Sequence, residues 1–459
     1  MTTVVTSETS NRLLVFGLAF LLAAPLCYAI VTGNYLAAGF VLLVLYIALC
    51  FIKIDAAIMC YLFIAASGIN FPEFEQLQYM GLILANVLLG ILVLAVVAHL
   101  VMGKRGLIVS PLNRPLFTFF GIYALYTFWS TGPRYPELLE SLRYTKGILV
   151  FPLLYWIVLN SSSVELARRA RYYLIGFMLI SIVGALHALW KYGQILSDFT
   201  VTYWNDQRIN RGEALGETFF MTCVLAILVL MYYVMQTRGD WRRRSVAVIA
   251  IGMFAVTNMA FLFRAGTAAM IVAMAIFVIL LKRSRSVLWL LVVGAVLVGA
   301  FWMAPQILMR AESTYGVQKG GVLGFDPSFA TRKDYLWPLA FSLIKENFLW
   351  GIGYENFRRI AGQNVHNQFI YWLVELGIVG FAAGLWFYAK ICLLFWRRFL
   401  EERDEWAKTM AIASLCLMLS TLVWLQAHDF FLYGWLYYPL AFAAVLARKA
   451  HDERTLAEC

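Results

Sequence analysis

Residues 330–380 read ATRKDYLWPLAFSLIKENFLWGIGYENFRRIAGQNVHNQFIYWLVELGIVG. On either side the chain is nearly continuous apolar sequence. Here it turns polar, then re-enters an apolar run directly behind a single histidine, His366. Across Thr331–Asn347, Leu336, Leu339, Ala340, Leu343 and Ile344 recur at three- and four-residue spacing, the pattern of an amphipathic helix lying on a membrane face. Gly351-Ile352-Gly353 then stops that helix. A reactive side chain at the mouth of a membrane helix stands where water meets lipid-borne molecules, so this stretch is read as the working end of the chain.

Working outward, 62% of the 459 residues are hydrophobic and 14% charged, against about half and a quarter in soluble domains. Apolar runs long enough to cross a bilayer, about 20 residues each, recur from Leu13 to Leu446. The expected fold is an all-α polytopic membrane protein with about 12–14 transmembrane helices; a barrel would instead show short alternating strands. The spans fall at about 13–31, 35–52, 55–70, 80–101, 115–130, 147–160, 172–190, 216–236, 245–262, 266–281, 286–304, 367–395, 408–427 and 430–447. The first follows a polar start with one basic residue, Arg12, and no clear cleavage site, and is read as a retained helix. Three parts are expected: membrane helices over residues 1–304, an outer loop or cap over 305–365, and C-terminal membrane helices with a short tail over 366–459.

The net charge of +11 does not point to nucleic acid, because the basic residues sit in short loops between apolar runs. Lys104–Arg105, Arg168–Arg169–Arg171, Arg238 with Arg242–Arg244, Lys282–Arg283–Arg285, Arg397–Arg398 and Arg448–Lys449 follow alternate runs. Placing all of them in the cytoplasm gives one threading with both chain ends inside. Asp55 and Lys146 are the charges nearest to mid-span. The seven cysteines lie mostly in apolar runs without CxxC spacing, which reads as packing and gives neither a disulfide framework nor a metal site.

Four polar segments are then left outside: Thr131–Lys146, Lys191–Gly216, the short break Phe263-Arg264-Ala265-Gly266, and the long loop of about 305–365. His366 has polar neighbours Asn364, Asn367 and Gln368; it reads either as a base able to take a proton near neutral pH or as a helix-mouth residue beside an Asn cap. Arg264 stands between two apolar runs, where arginines serve sites or snorkel to the interface. Arg208 and Arg211, just ahead of a helix, suit an anion such as phosphate, or else pair with Asp206 and Glu213. Arg332 opens the amphipathic helix, and Lys333 and Asp334 beside it favour a surface face. Glu355 and Glu375 are isolated from each other in sequence, and a buried, paired Glu375 is at least as plausible as one facing a cavity with His366. No P-loop, GxSxG, HExxH or outer acidic pair occurs.

Gly351-Ile352-Gly353-Tyr354-Glu355-Asn356-Phe357 with His366-Asn367-Gln368-Phe369 resembles the O-antigen ligase and polymerase superfamily of bacterial inner membranes. His366-Asn367, nine residues, then Gly377-Ile378-Val379-Gly380 is similar to the ligase branch's pattern. Phe263-Arg264-Ala265-Gly266 resembles the superfamily's Ser-Arg-Gly element, with Phe for the Ser and Ala for the Gly. The segment holding Arg208 and Arg211 is similar to an arginine-bearing loop of the family, without deciding which arginine matches.

The resemblance implies a metal-independent, inverting glycosyltransferase of GT-C type on the periplasmic face, with no cofactor. Its donor would be a glycan on undecaprenyl pyrophosphate and its acceptor a sugar hydroxyl of lipid A–core. His366 would be the general base; Arg264 with Arg208 or Arg211 would hold the pyrophosphate; Asn367, Arg332 and Glu355 are secondary candidates. The rival within the superfamily is an O-antigen or exopolysaccharide polymerase using the same donor. A lipid-linked glycan transporter is the more distant alternative.

Overall fold

The computed structural model describes residues 35–66, 75–102, 107–131, 138–161, 166–197, 217–236, 240–260, 264–281, 332–426 and 434–458. Every regular element among them is helical. In chain order these are α1 (Tyr35–Ile52), α2 (Ile54–Ala66), α3 (Glu75–Met102), α4 (Asn113–Thr131), α5 (Leu138–Asn160), α6 (Leu166–Ser197), α7 (Glu217–Gln236), α8 (Trp241–Ala260) and α9 (Arg264–Leu281). A π-helical turn, Arg332–Leu336, leads into α10 (Trp337–Glu346), followed by α11 (Asn356–Ala361), α12 (Gln368–Glu401), α13 (Glu405–Trp424) and, after a 3-10 turn at Gly434–Leu436, α14 (Tyr437–Glu458).

Three helical stretches among the described residues are at once long and apolar enough to cross a membrane: Arg169–Leu189, Gln368–Glu401 and Glu405–Trp424. Shorter apolar helices accompany them, including Phe40–Ile52, Gly147–Asn160, Phe220–Gln236 and Gly266–Leu281. The spans expected at 13–31 and 286–304, and the loop up to residue 331, lie outside the described residues. One boundary is corrected: the polar segment expected over Thr131–Lys146 is helical from Leu138 onward and continues into α5 without a break.

Helix α13 is the axis of the bundle. Its capping residue Asp404 accepts from the amides of Trp406 and Ala407, satisfying donors that every helix start leaves open. From Ala407 to Trp424 it is buried along most of its length, packed against α7, α9, α12 and α14. Beside it, α4 and α12 meet through aromatic rings: Phe119 lies edge-on to Trp372 at 5.3 Å and stacks on Phe387 at 5.8 Å. Such pairs add about 0.5–1.5 kcal/mol each beyond the area they bury.

Arg169 is not the free cytoplasmic charge that the basic-cluster pattern implies. It is buried, and its Nε and one terminal nitrogen donate to Asp55 Oδ1 at 3.0 and 2.8 Å. It also donates to the Val158 carbonyl at 2.8 Å, while the Tyr173 hydroxyl donates to the same Asp55 oxygen at 3.0 Å. This ties the start of α2 to α5 and α6. Removing one partner of a buried pair strands the other and costs about 3–5 kcal/mol. Arg169→Ala is therefore expected to lower the thermal unfolding midpoint in detergent more than the double variant Asp55→Leu/Arg169→Met; equal losses would mean that the pair is not buried as described.

Candidate functional site

The site is built on a break in α12. At Gly377 the backbone leaves the helix (φ 64°, ψ −171°), which corrects the expectation of an uninterrupted span over 367–395. A break orphans carbonyls on one side and amides on the other, and inside a membrane protein these must find partners. The hairpin after α10 supplies them. The amides of Ile352 and Gly353 donate to the Val374 and Glu375 carbonyls, both at 2.9 Å. In return the amides of Ile378 and Val379 donate to the Phe348 and Leu349 carbonyls at 2.9 and 3.5 Å.

Two glycines make that approach possible. Gly351 has φ 68°, and a Cβ there would overlap the Glu375 carbonyl group; a Cβ at Gly377 would overlap that of Leu349. Hence the Gly351-Ile352-Gly353 element and the Gly377 of the His366 motif are two halves of one joint. Glu375 completes it: fully buried, it accepts from the Glu355 amide at 2.8 Å, with the Tyr371 hydroxyl and the Phe357 amide also turned to its carboxylate. The two glutamates that are isolated in sequence thus meet. Glu355 takes part through its backbone, at φ 60°, and its side chain reaches Arg358 at 3.9 Å.

From this joint a strap of chain runs through α11 to His366 and is tied down again. The Trp337 indole donates to the Val365 carbonyl at 3.3 Å. Asn367 caps α12, accepting from the amides of Phe369 and Ile370 at 3.0 and 3.2 Å, and donates to Gln426 Oε1 at 3.0 Å. The Gln368 amide donates to the Leu425 carbonyl at 2.9 Å. The capping reading of Asn367 therefore holds, and the residues that fix it, Leu425 and Gln426, come from the far end of α13, where nothing in the sequence near His366 points to them.

Between these ties His366 is held with φ 55°, a left-handed conformation that costs a non-glycine residue of order 1 kcal/mol and persists only where the surroundings over-determine it. It is half-buried. Burial first, and the Arg332 guanidinium second, push its pKa down from 6.5 to about 4. The imidazole is thus neutral at pH 7, and a weaker base than a free histidine. Arg332, a secondary candidate whose charged neighbours favour a surface face, is half-buried and close enough for its charge to act on the histidine.

Arg264 is the first residue of α9. The Tyr232 hydroxyl, late in α7, donates to Glu405 at the start of α13 at 2.9 Å, and Phe277, late in α9, lies 6.5 Å from the Tyr232 ring. At the other end Gly266 is pressed against the Phe220 ring. Thus α7 and α9 run opposite to α13, and α9 begins at the end of the bundle where α13 finishes and His366 is tied. Arg208 and Arg211 lie outside the described residues.

Gly377→Ala is expected to cost at least ~1–3 kcal/mol from its backbone conformation alone and to free the hairpin, seen as new protease cleavage within residues 347–355. Gly362→Ala, at a similar φ of 72° but facing open space, should leave the hairpin protected; equal cleavage in both would remove the joint.

Residues 255–385 match the family model described as O-antigen ligase, a stretch that takes in every candidate above except Arg208 and Arg211. No curated protein matches the chain.

Proposed function

With residues 255–385 matching the O-antigen ligase family, we propose that this membrane protein is a GT-C-type glycosyltransferase joining a glycan carried on undecaprenyl pyrophosphate to a sugar hydroxyl of lipid A–core. The reaction takes place on the periplasmic face of the bacterial inner membrane, which holds both lipid-borne substrates. The observation that carries this reading is a neutral, half-buried His366 beside Arg332, at the end of the bundle where α9 opens with Arg264.

In this mechanism an imidazole nitrogen of His366 takes the proton of the acceptor hydroxyl as its oxygen attacks the anomeric carbon. The attack comes from the face opposite the diphosphate, so configuration inverts. The carbon–oxygen bond to the diphosphate breaks, its electron pair passing to the phosphate oxygen, and undecaprenyl pyrophosphate departs. Arg264, Arg332 and one of Arg208 and Arg211 hold the diphosphate and stabilise the charge that grows on it, the part that metal ions play in other transferases. The His366 proton then passes to water. The outer cap over 305–365 receives the acceptor, while the donor's polyprenyl tail stays among the apolar helices.

Electrostatics link the two halves of the site. In the free protein burial first and the Arg332 guanidinium second disfavour the imidazolium; a bound diphosphate offsets the guanidinium and raises the basicity of His366 by that part. The acid limb of kcat/KM, which reports the free enzyme, is therefore expected near pH 4, and that of kcat at a higher pH. Both limbs at the ordinary histidine value would contradict the arrangement. His366→Ala should lower transfer about 10²–10⁴-fold at unchanged membrane abundance.

Arg264→Lys tests the fork geometry. A point charge does not replace two parallel hydrogen bonds to phosphate, and transfer is expected to fall ~10–100-fold. Full activity in the lysine variant would remove Arg264 from the site.

The function itself is tested by supplying purified protein, in the presence of a chelator, with undecaprenyl-pyrophosphate glycan and lipid A–core. Formation of the conjugate is the expected result. Longer glycan on the carrier without conjugate would assign the same site to polymerisation, and movement of carrier-linked glycan across vesicles without either product would assign it to transport.

A further inference from the structure

At the end of the bundle opposite His366, α6, α8 and α13 all begin. The Arg171 guanidinium, in the second turn of α6, lies over the Trp406 ring at 5.3 Å, and Glu405 beside that ring accepts from Tyr232 near the end of α7. Helix α8 starts close behind the end of α7, and its opening reads Trp241-Arg242-Arg243-Arg244. Asp240 is engaged with one of these residues, accepting from the Arg243 amide at 3.2 Å and pairing with the Arg243 guanidinium at 2.9 Å. Arg242 has no carboxylate partner among the described residues; its guanidinium lies over the Trp241 ring at 5.9 Å.

The outward face of α8 changes character directly behind that pair. Arg242, Val246, Ile249 and Val256 follow at four-, three- and seven-residue spacing, which puts them on one helical face. Val246, Ile249 and Val256 are exposed by 68, 71 and 56%, while Ala247, Ile251, Phe254 and Ala255 on the other side are buried. On the outside of a packed membrane bundle, such a row of large aliphatic side chains faces lipid. From Val246 to Val256 it covers ~15 Å, about half of the ~30 Å of hydrocarbon in a bilayer. Arg242 stands where this row ends, flanked by Trp241, which is exposed by 70%. Helix α6, in contact with α8, repeats the change: Arg171 is exposed, and behind it Ile175, Leu179 and Val183 are exposed as well. The side chains of two neighbouring helices therefore mark the same boundary.

We propose that Trp241 and Arg242 seat the head group of an anionic phospholipid, whose acyl chain lies along Val246, Ile249 and Val256. The guanidinium donates parallel hydrogen bonds to the phosphate oxygens. The indole settles at the boundary of head groups and hydrocarbon, and its ring face steadies the guanidinium. Side chains make this seat and not the amides of the helix start, one of which Asp240 already holds. Three arginines against one carboxylate leave excess positive charge in this turn. That excess favours a head group with no ammonium of its own over a zwitterionic one. The seat lies at the far end of the bundle from His366 and stands whether or not the transfer reading does.

The test uses full-length protein in vesicles of phosphatidylethanolamine with a minor fraction of phosphatidylglycerol. The native cysteines are replaced and Ser245→Cys, exposed beside Val246, carries a small fluorophore. A nitroxide on the acyl chain of one lipid or the other, at equal mole fraction, quenches the fluorophore according to how often that lipid occupies α8. The expected result is a ~5–10-fold preference for phosphatidylglycerol, lost on Arg242→Gln and weakened on Trp241→Ala. Lys345→Gln, at the other end of the bundle, keeps it. Salt at ~1 M, where the Debye length is ~3 Å, lowers the preference of the unsubstituted protein, and this decides the question should Arg242→Gln fail to insert. Soluble phosphate at millimolar concentration leaves the preference unchanged. Equal quenching by the two lipids, a preference that survives both Arg242→Gln and high salt, or its loss to millimolar phosphate would overturn the proposal.

Discussion

An interrupted membrane helix cannot leave its backbone polar groups bare, and that requirement organises the working end of this protein. Where α12 breaks at Gly377, the hairpin after α10 enters and exchanges four backbone hydrogen bonds with it. Each unpaired group in an apolar setting costs several kcal/mol, so hairpin and break are stable only together. The glycines at 351 and 377 are the steric condition for the exchange, and the buried Glu375 carboxylate, held by the Glu355 amide, secures the hairpin's far side. Everything that places His366 follows from this joint and from the second tie at the end of α13.

The strap between those two ties concentrates cost where chemistry is proposed. His366 is kept in a left-handed conformation, partly desolvated, and next to a guanidinium that opposes its protonation. None of these helps the fold. The last two keep the imidazole neutral in the free protein, and an anion placed beside Arg332 would offset the second of them. At the opposite end of the bundle, burial of charge has another purpose: Arg169 and Asp55 satisfy each other and fasten helices, with no feature that suggests a ligand.

Much of this was legible in the sequence, and the gaps have physical causes. Apolar run length marks most of the described helices to within a few residues, because a helix in lipid must be apolar over its whole length. The amphipathic spacing from Leu336 to Ile344 marks α10, and the polar cluster around His366 marks the strap. The break in α12 was hidden, since a glycine in an apolar run is ordinary in membrane helices and only the docked hairpin shows which one bends. Asn367 could be read as a cap but not as a tether, because its partner Gln426 lies 59 residues away. Arg169 followed the cytoplasmic charge pattern so well that its pairing with Asp55, 114 residues distant, left no sign. Arg332 was kept as a secondary candidate although its charged neighbours favoured a surface face, and those neighbours gave no sign that its charge acts on His366.

The central claim is that His366, Arg332 and the start of α9 form one chamber for a lipid diphosphate. The most direct measurement is an experimental structure of the protein in a lipid nanodisc with an undecaprenyl-diphosphate glycan bound. The account predicts the diphosphate between the guanidinium groups of Arg264 and Arg332, with the anomeric carbon within reach of an acceptor oxygen held by His366. A diphosphate seated elsewhere, with His366 turned away from its sugar, would contradict it.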